Sequence, residues 1–228
     1  NPFPGFHEDE VPEEPELEGG YQYHVRISRR EALISYIGLS AVGTALSLPL
    51  GPLEFAIAAI FAIAWYSYAR WLKARGLVGN ALVSLGVAFT LIFGALAAGR
   101  LTSKVAMFSV IAFTSNMARE VVKTIEDLEG DSACGLRTVA VVLGARRAGV
   151  CASMLSLTSA VLALIPALLR MVGPAYLLIT VAASVPILIY SALLSMRMEG
   201  REGAKRASSS LKASMLLGML GMLWDPIT

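Results

Sequence analysis

The residues most able to do chemistry lie in one stretch, Asn116-Met-Ala-Arg-Glu-Val-Val-Lys-Thr-Ile-Glu-Asp-Leu-Glu-Gly-Asp131, at the end of an apolar run. Read as one helix at about 100° per residue, it places Asn116, Glu120, Lys123, Asp127 and Asp131 within an arc of roughly 80°, with Arg119, Glu126 and Glu129 pointing elsewhere. Carboxylates at i and i+4 repel one another, and ionisable groups near a bilayer are costly and face a cavity. Something positive must compensate them. Lys123 supplies one charge, and a divalent hard cation with oxygen ligands would supply more. A solvated juxtamembrane loop accounts for Glu126 and Glu129. It does not account for five polar groups on one face, beginning a turn or more inside an apolar span. Gly130 and Gly135 add turn freedom. Arg137 and Thr138 follow, and arginine suits a phosphate or diphosphate.

The elements that must position this stretch are membrane helices. Of the 228 residues, 56% are hydrophobic and 16% charged, whereas soluble domains run nearer half and a quarter. A water-soluble globular domain is therefore excluded. Stretches 31–50, 53–69, 80–99, 104–124, 149–169, 174–195 and 209–224 each approach the ~20 residues that cross a bilayer. Continuous apolar runs, without the short alternating segments of a barrel, predict an all-α, multi-pass transmembrane bundle of about seven spans. Gly86, Gly94, Ala95 and Ala98 would let helices approach closely. Seven spans put 16 of the 19 basic residues on one side and leave only Arg100, Lys104 and Arg170 on the other. The rich side should be cytoplasmic, with the N-terminus inside and the C-terminus outside.

Residues 1–24 form a separate, flexible head. Seven of the 17 acidic residues lie in its first 18 positions, with no Lys or Arg. His7 beside Glu8, Asp9 and Glu10 reads as part of a solvated acidic tail rather than a metal cluster. The transmembrane domain is then 25–228, with an excess of basic charge that topology explains, so membrane lipids are expected partners and nucleic acid is not. The chain starts at Asn1 rather than Met, which reads as a fragment or a processed chain. Cys134 and Cys151 have neither metal nor redox spacing.

Arg119-Glu120-x-x-Lys123-x-x-Glu126-Asp127-x-x-Gly130-Asp131, followed by Gly135-x-Arg137-Thr138, resembles the second aspartate-rich motif of the UbiA-type intramembrane prenyltransferases. The wording Ile-Glu-Asp-Leu-Glu-Gly-Asp is most similar to the archaeal branch that makes digeranylgeranylglyceryl phosphate. The likeness extends through Val139-Ala-Val-Val-Leu-Gly-Ala-Arg-Arg147. Upstream, Ile27-Ser-Arg-Arg-Glu-Ala-Leu33 resembles the entry to the family's third helix. Tyr66-Ser-Tyr-Ala-Arg-Trp-Leu-Lys73 and Gly76-Leu-Val-Gly-Asn80 resemble the segment between its fourth and fifth. In all, it covers roughly residues 26–224. The family has nine helices, and its first aspartate-rich motif follows the second. In this sequence those two helices and that motif are absent, and the acidic head stands in their place.

The resemblance implies Mg²⁺-dependent transfer of a prenyl group from its diphosphate to a lipid-soluble acceptor, and its archaeal branch points to geranylgeranyl as the group and geranylgeranylglyceryl phosphate as the acceptor. Asp127 and Asp131 would hold Mg²⁺ against the diphosphate, and Lys123 and Arg137 would neutralise the leaving group. Asn116, Glu120, Tyr66, Tyr68, Arg70, Lys73 and Asn80 are the further substrate-binding candidates. Other readings stay open: an aromatic acceptor as in quinone synthesis, an intramembrane cation transporter built on Asp127 and Asp131, or an inactive truncated homologue. Trp65, Tyr66, Tyr68 and Trp71 fit an interfacial aromatic belt better than a substrate wall. Asn80 either caps its helix or lines the site. Met215, Met219 and Met222 read as packing, and Arg201, Lys205 and Arg206 as an anionic-lipid contact or an orientation signal.

Overall fold

The computed structural model describes residues 28–73, 75–197 and 200–225; the acidic head, with His7, Glu8, Asp9 and Glu10, lies outside them. Every regular element among the described residues is helical. We number them α1 (Arg29–Ser47), α2 (Pro52–Leu72), α3 (Leu77–Ala97), α4 (Ser103–Glu126), α5 (Leu128–Ala133), α6 (Val139–Leu143), α7 (Ala145–Leu168), α8 (Pro174–Met196) and α9 (Gly200–Trp224). The seven long helices occupy the seven expected stretches, and no strand interrupts them.

Local chemistry sets the helix starts. Ser28 and Glu31 form a reciprocal capping box, the Ser28 amide donating to Glu31 Oε2 at 2.8 Å and the Glu31 amide to Ser28 Oγ at 3.2 Å. Both α2 and α8 begin with a proline after a glycine, where the missing N–H costs nothing. Thr102 caps α4, its side chain accepting from the Val105 amide at 3.3 Å.

Five helices, α2, α3, α4, α7 and α8, are long and apolar enough to cross a membrane. By the same measure α1 is diluted by Arg29, Arg30 and Glu31, and α9 by the charges between Arg201 and Lys212. The chain is an integral membrane protein. The described residues divide into two compact units, one up to Leu39 and one from Ser40 onward. The second unit contains helices α2 to α9 and all the candidate site residues.

Within that unit α4 is the central helix, packed on α3, α7 and α9. Its contact face is made of small or branched residues: Ala118, Val121 and Val122 are fully buried, against Ala148 and Ala152 of α7 and Ala204, Ala207 and Leu211 of α9. Small side chains permit the close backbone approach that drives helix association where lipid is as apolar as the core. Burial falls away from this centre, from 56% of the spanning window in α4 to 6% in α2. Two spans contain π-helical turns, 68–72 in α2 and 177–184 in α8. Such widened turns recur at functional sites.

Candidate active site

The stretch 116–131 does not run as one straight helix. Helix α4 ends at Glu126, Asp127 is the junction residue, and α5 begins at Leu128. The hydrogen-bond ladder nevertheless continues across the bend, with the Asp127 amide donating to the Lys123 carbonyl (3.0 Å) and the Asp131 amide to the Asp127 carbonyl (2.9 Å). Asp131 thus stays one turn above Asp127, although the single-helix arc applies only as far as the bend. Helix α5 closes with Gly135 at φ 65°, and the Leu136 amide reaches back to the Asp131 carbonyl at 2.9 Å. This is the glycine-terminated cap that lets the chain reverse. Gly130, by contrast, sits inside α5 with ordinary φ, so the expected turn role belongs to Gly135 alone.

The acidic side chains differ in exposure. Asp127, Glu129 and Lys123 are exposed, while Asp131 and Glu126 are half-buried. Among the described residues no ion pair involves Asp127 or Asp131, and no group of three or more His, Cys, Asp or Glu converges as a metal cage. Glu120 is different. Its carboxylate accepts from Arg119 Nη1 at 2.7 Å, so the positive partner on this turn is the neighbouring arginine rather than Lys123. Adjacent helix positions do not face each other, and it is the length of the guanidinium arm that makes the pair possible.

One turn deeper, the polar residues are buried. Asn116 on α4 is 3% exposed, and its Nδ2 donates to Ser84 Oγ on α3 at 3.1 Å. The Ser84 hydroxyl donates in turn to the Asn80 carbonyl at 2.8 Å. Asn80 is also buried, and its Nδ2 has no partner among the described residues. Gly76, not Asn80, stands at the N-cap of α3, so Asn80 belongs to this polar group and does not cap the helix. A buried amide left open is costly unless something else bonds to it. Ser84 escapes a reading by residue type, although Asn80 and Ser84 are spaced i, i+4 on one helix face.

Below that layer the bundle opens into a cavity of about 320 Å³ between α3, α4, α7, α8 and α9. Val87, Ala112, Ser115 and Leu188 line it, together with Met215, Met219 and Met222. The methionine stripe expected to be mere packing therefore forms a cavity wall. At its far end Tyr176 is fully buried, stacks on Phe108 with ring centroids 5.5 Å apart, and donates to the Ala163 carbonyl at 2.9 Å.

The aromatic group at the end of α2 divides in two. Trp65 pairs edge-on with Tyr68 and lies against α3, where a Cβ on Gly86 would meet the indole at 2.5 Å. Tyr66 pairs edge-on with Trp71, and these two are 41% and 53% exposed. The belt reading suits the outer pair, whereas Tyr68 is half-buried and lies against Gly79 of α3. Arg70 and Lys73 are exposed at the same end. Gly76, at φ 49°, lets the turn after α2 press on the segment beyond α5, since a Cβ there would meet the Arg137 carbonyl at 2.7 Å. Thr124 fastens that segment from the other side, its hydroxyl donating to the Val121 carbonyl at 2.7 Å and accepting from the Ala140 amide at 3.2 Å. Arg137 itself is exposed and borders a different pocket, with Arg75, Val121 and α6.

The UbiA prenyltransferase family matches residues 24–217, most of the chain. The chain belongs to this family. It is similar to the digeranylgeranylglyceryl phosphate synthase of Korarchaeum cryptofilum, with 54% identity over 201 residues that cover 88% of this chain and 72% of that one. The enzyme of the same name from Methanopyrus kandleri is 35% identical over 198 residues, covering 87% and 72%. A solved structure from work on digeranylgeranylglyceryl phosphate synthase in membranes superposes with a TM-score of 0.74 at 27% identity, over 86% of this chain and 70% of that one. The resemblance read from the 119–138 motif is thereby confirmed, and this UbiA-family chain is an enzyme of the prenyltransferase type.

Proposed function

We propose that this UbiA-family enzyme transfers a geranylgeranyl group from its diphosphate to geranylgeranylglyceryl phosphate, in ether-lipid synthesis. The carrying observation is the column along α4 and α5, in which the unpaired carboxylates of exposed Asp127 and half-buried Asp131 stand above a buried amide layer and that layer stands above a cavity. An allylic diphosphate has the same two-part character, charged at one end and hydrocarbon along the rest. The names of the relatives support the choice of acceptor.

Asp127 and Asp131 fit a Mg²⁺ ion in donor type and number. Mg²⁺ keeps several waters and is held by one or two carboxylates plus substrate phosphates, not by an all-protein cage. Two carboxylates at a water-accessible bend are that kind of site. The metal would neutralise diphosphate charge, and Lys123 on the preceding turn would add one more positive group. Arg70 and Lys73, at the same end, are suited to the outer phosphate, and Glu120 with Tyr68 would border the reacting carbon. Asn80 and Asn116 would orient the first polar atoms below it, using the open Asn80 amide. The C–O bond to diphosphate breaks with its electron pair leaving on the diphosphate. The acceptor hydroxyl oxygen bonds to the freed allylic carbon and loses its proton to solvent at the open end. The cavity beneath excludes water from that carbon.

The basic end would face the cytoplasm, so that both substrates meet the site from that side. The test is the full chain reconstituted with geranylgeranyl diphosphate, Mg²⁺ and either geranylgeranylglyceryl phosphate or an aromatic quinone precursor. The expected result is Mg²⁺-dependent release of diphosphate and a product heavier by one geranylgeranyl group with the glyceryl phosphate acceptor only. Transfer to the aromatic ring instead would overturn the acceptor. Ion flux without any prenyl diphosphate would favour a transporter.

A further inference from the structure

A second site lies on another face of α4. Val121 is roughly 120° around the helix from the stripe holding Asn116, Glu120 and Asp127. There a pocket of about 610 Å³ opens between the amino end of α3, α6 and the first turns of α7. Arg75 and Arg137 border it, and among the described residues no acidic side chain does. Its apolar wall includes Leu77, Val142 and Leu143, which are 58%, 57% and 40% exposed. Thr138 lines the same pocket, is only 6% exposed, and has a hydroxyl with no hydrogen-bond partner among the described residues. The amino end of α3, a helix of 21 residues, adds the positive end of its dipole.

These features constrain the ligand. A free anion would satisfy the two guanidinium groups and the hydroxyl but leave three exposed aliphatic side chains against water. A bare hydrocarbon chain would cover those side chains and leave the polar groups unanswered. Only an amphiphile with an anionic head satisfies both halves, and basic pockets between membrane helices at the basic end are where such heads bind. We propose that this pocket binds one phosphate-headed anionic lipid of the surrounding bilayer, with its head between Arg75, Arg137 and Thr138 and a chain along Leu77, Val142 and Leu143. The bound lipid would brace the segment after α5, which Gly76 and Thr124 already hold against the bundle. The proposal stands apart from the prenyl-transfer reading.

Cys151 lines the pocket and Cys134 does not, and they are the only two cysteines. In full-length chain carrying Cys134→Ser, alkylation of Cys151 by N-ethylmaleimide is followed in phosphatidylcholine vesicles with and without phosphatidylglycerol. The anionic lipid should slow alkylation at least about fivefold, the scale of one arginine at an anionic surface. Arg75→Gln or Arg137→Gln should each remove most of that protection. Arg146→Gln, outside the pocket, should keep it. In the converse Cys151→Ser chain, Cys134 should react at one rate in both vesicles, which also reports that the fold is intact. Equal Cys151 rates in the two vesicles, or protection that survives both pocket substitutions, would overturn the proposal. So would equal slowing at Cys134, or full protection by inorganic phosphate alone, which would mark a soluble-anion site.

Discussion

The two ends of the bundle handle charge in opposite ways. At the far end Lys104, in the first turn of α4, meets Asp225, just beyond α9, at 3.0 Å, with side chains 8% and 1% exposed. The other oxygen of Asp225 accepts from the Gly173 amide before α8, so three chain segments are tied at one buried carboxylate. At the basic end Asp127 and Asp131 lie in or near water with no ion-pair partner among the described residues. A buried pair is a structural commitment, because removing either member leaves a charge stranded. An exposed unpaired carboxylate contributes almost nothing to stability, which leaves it free for a ligand. The contrast separates charge that holds the bundle from charge that, on the proposed function, is kept for substrate.

The sharpest way to break the comparison is Lys104→Met. It should cost about 3–5 kcal/mol by leaving Asp225 buried and unpaired, read as a lower midpoint in denaturant. Adding Asp225→Leu should recover part of the loss, although the Gly173 amide then loses its acceptor. If Lys104→Met leaves stability unchanged, the far end is not a clasp. Asp127→Asn should do the reverse. Its stability should stay within about 0.5 kcal/mol of the parent, while diphosphate release slows by about 10²–10³-fold, the cost of deleting one positioned electrostatic stabiliser.

Ser84→Ala falls between these extremes, because the polar layer is both buried and near the site. It strands the Asn116 amide and should cost about 1–3 kcal/mol. It should also slow turnover less than Asp127→Asn does, measured on the same reconstituted protein. A stability loss with no change in rate would assign Asn116 and Ser84 to packing alone.

Legibility in the sequence depends on how local each property is. The helical bundle was legible because backbone groups in lipid must bond within their own segment. The acidic motif was legible because charged residues beside an apolar run are costly. The order of the helices in space was not, because lipid-facing and core-facing residues are equally apolar. Leu53, Ile60 and Ile63 of α2 are 61%, 62% and 69% exposed, while Val121 and Val122 of α4 are fully buried. Their hydropathies do not tell them apart. The pairing of Lys104 with Asp225 spans 121 positions, and no local spacing announces it. The Arg119–Glu120 pair defeats a reading by helix face, since a long side chain crosses the angle between neighbouring positions. The division of the four aromatics at the end of α2 depends on a π-turn that no periodicity of 3.6 anticipates.

The smallest effect is the most discriminating. Glu129 lies two residues from Asp127 on α5, is exposed, and belongs to the same acidic cluster. If only positioned carboxylates matter, Glu129→Gln should leave the rate within about twofold of the parent, the equivalent of less than 0.5 kcal/mol in the barrier. If the general negative field of this end attracts the cation, Glu129→Gln should slow turnover nearly as much as Asp127→Asn, because the two substitutions remove the same charge from almost the same place. Raised salt would then weaken both sites together, since exposed charges are screened beyond about 10 Å at 0.1 M. A rate unchanged by Glu129→Gln but sensitive to Asp127→Asn would show that position, not net charge, makes this end of the bundle catalytic.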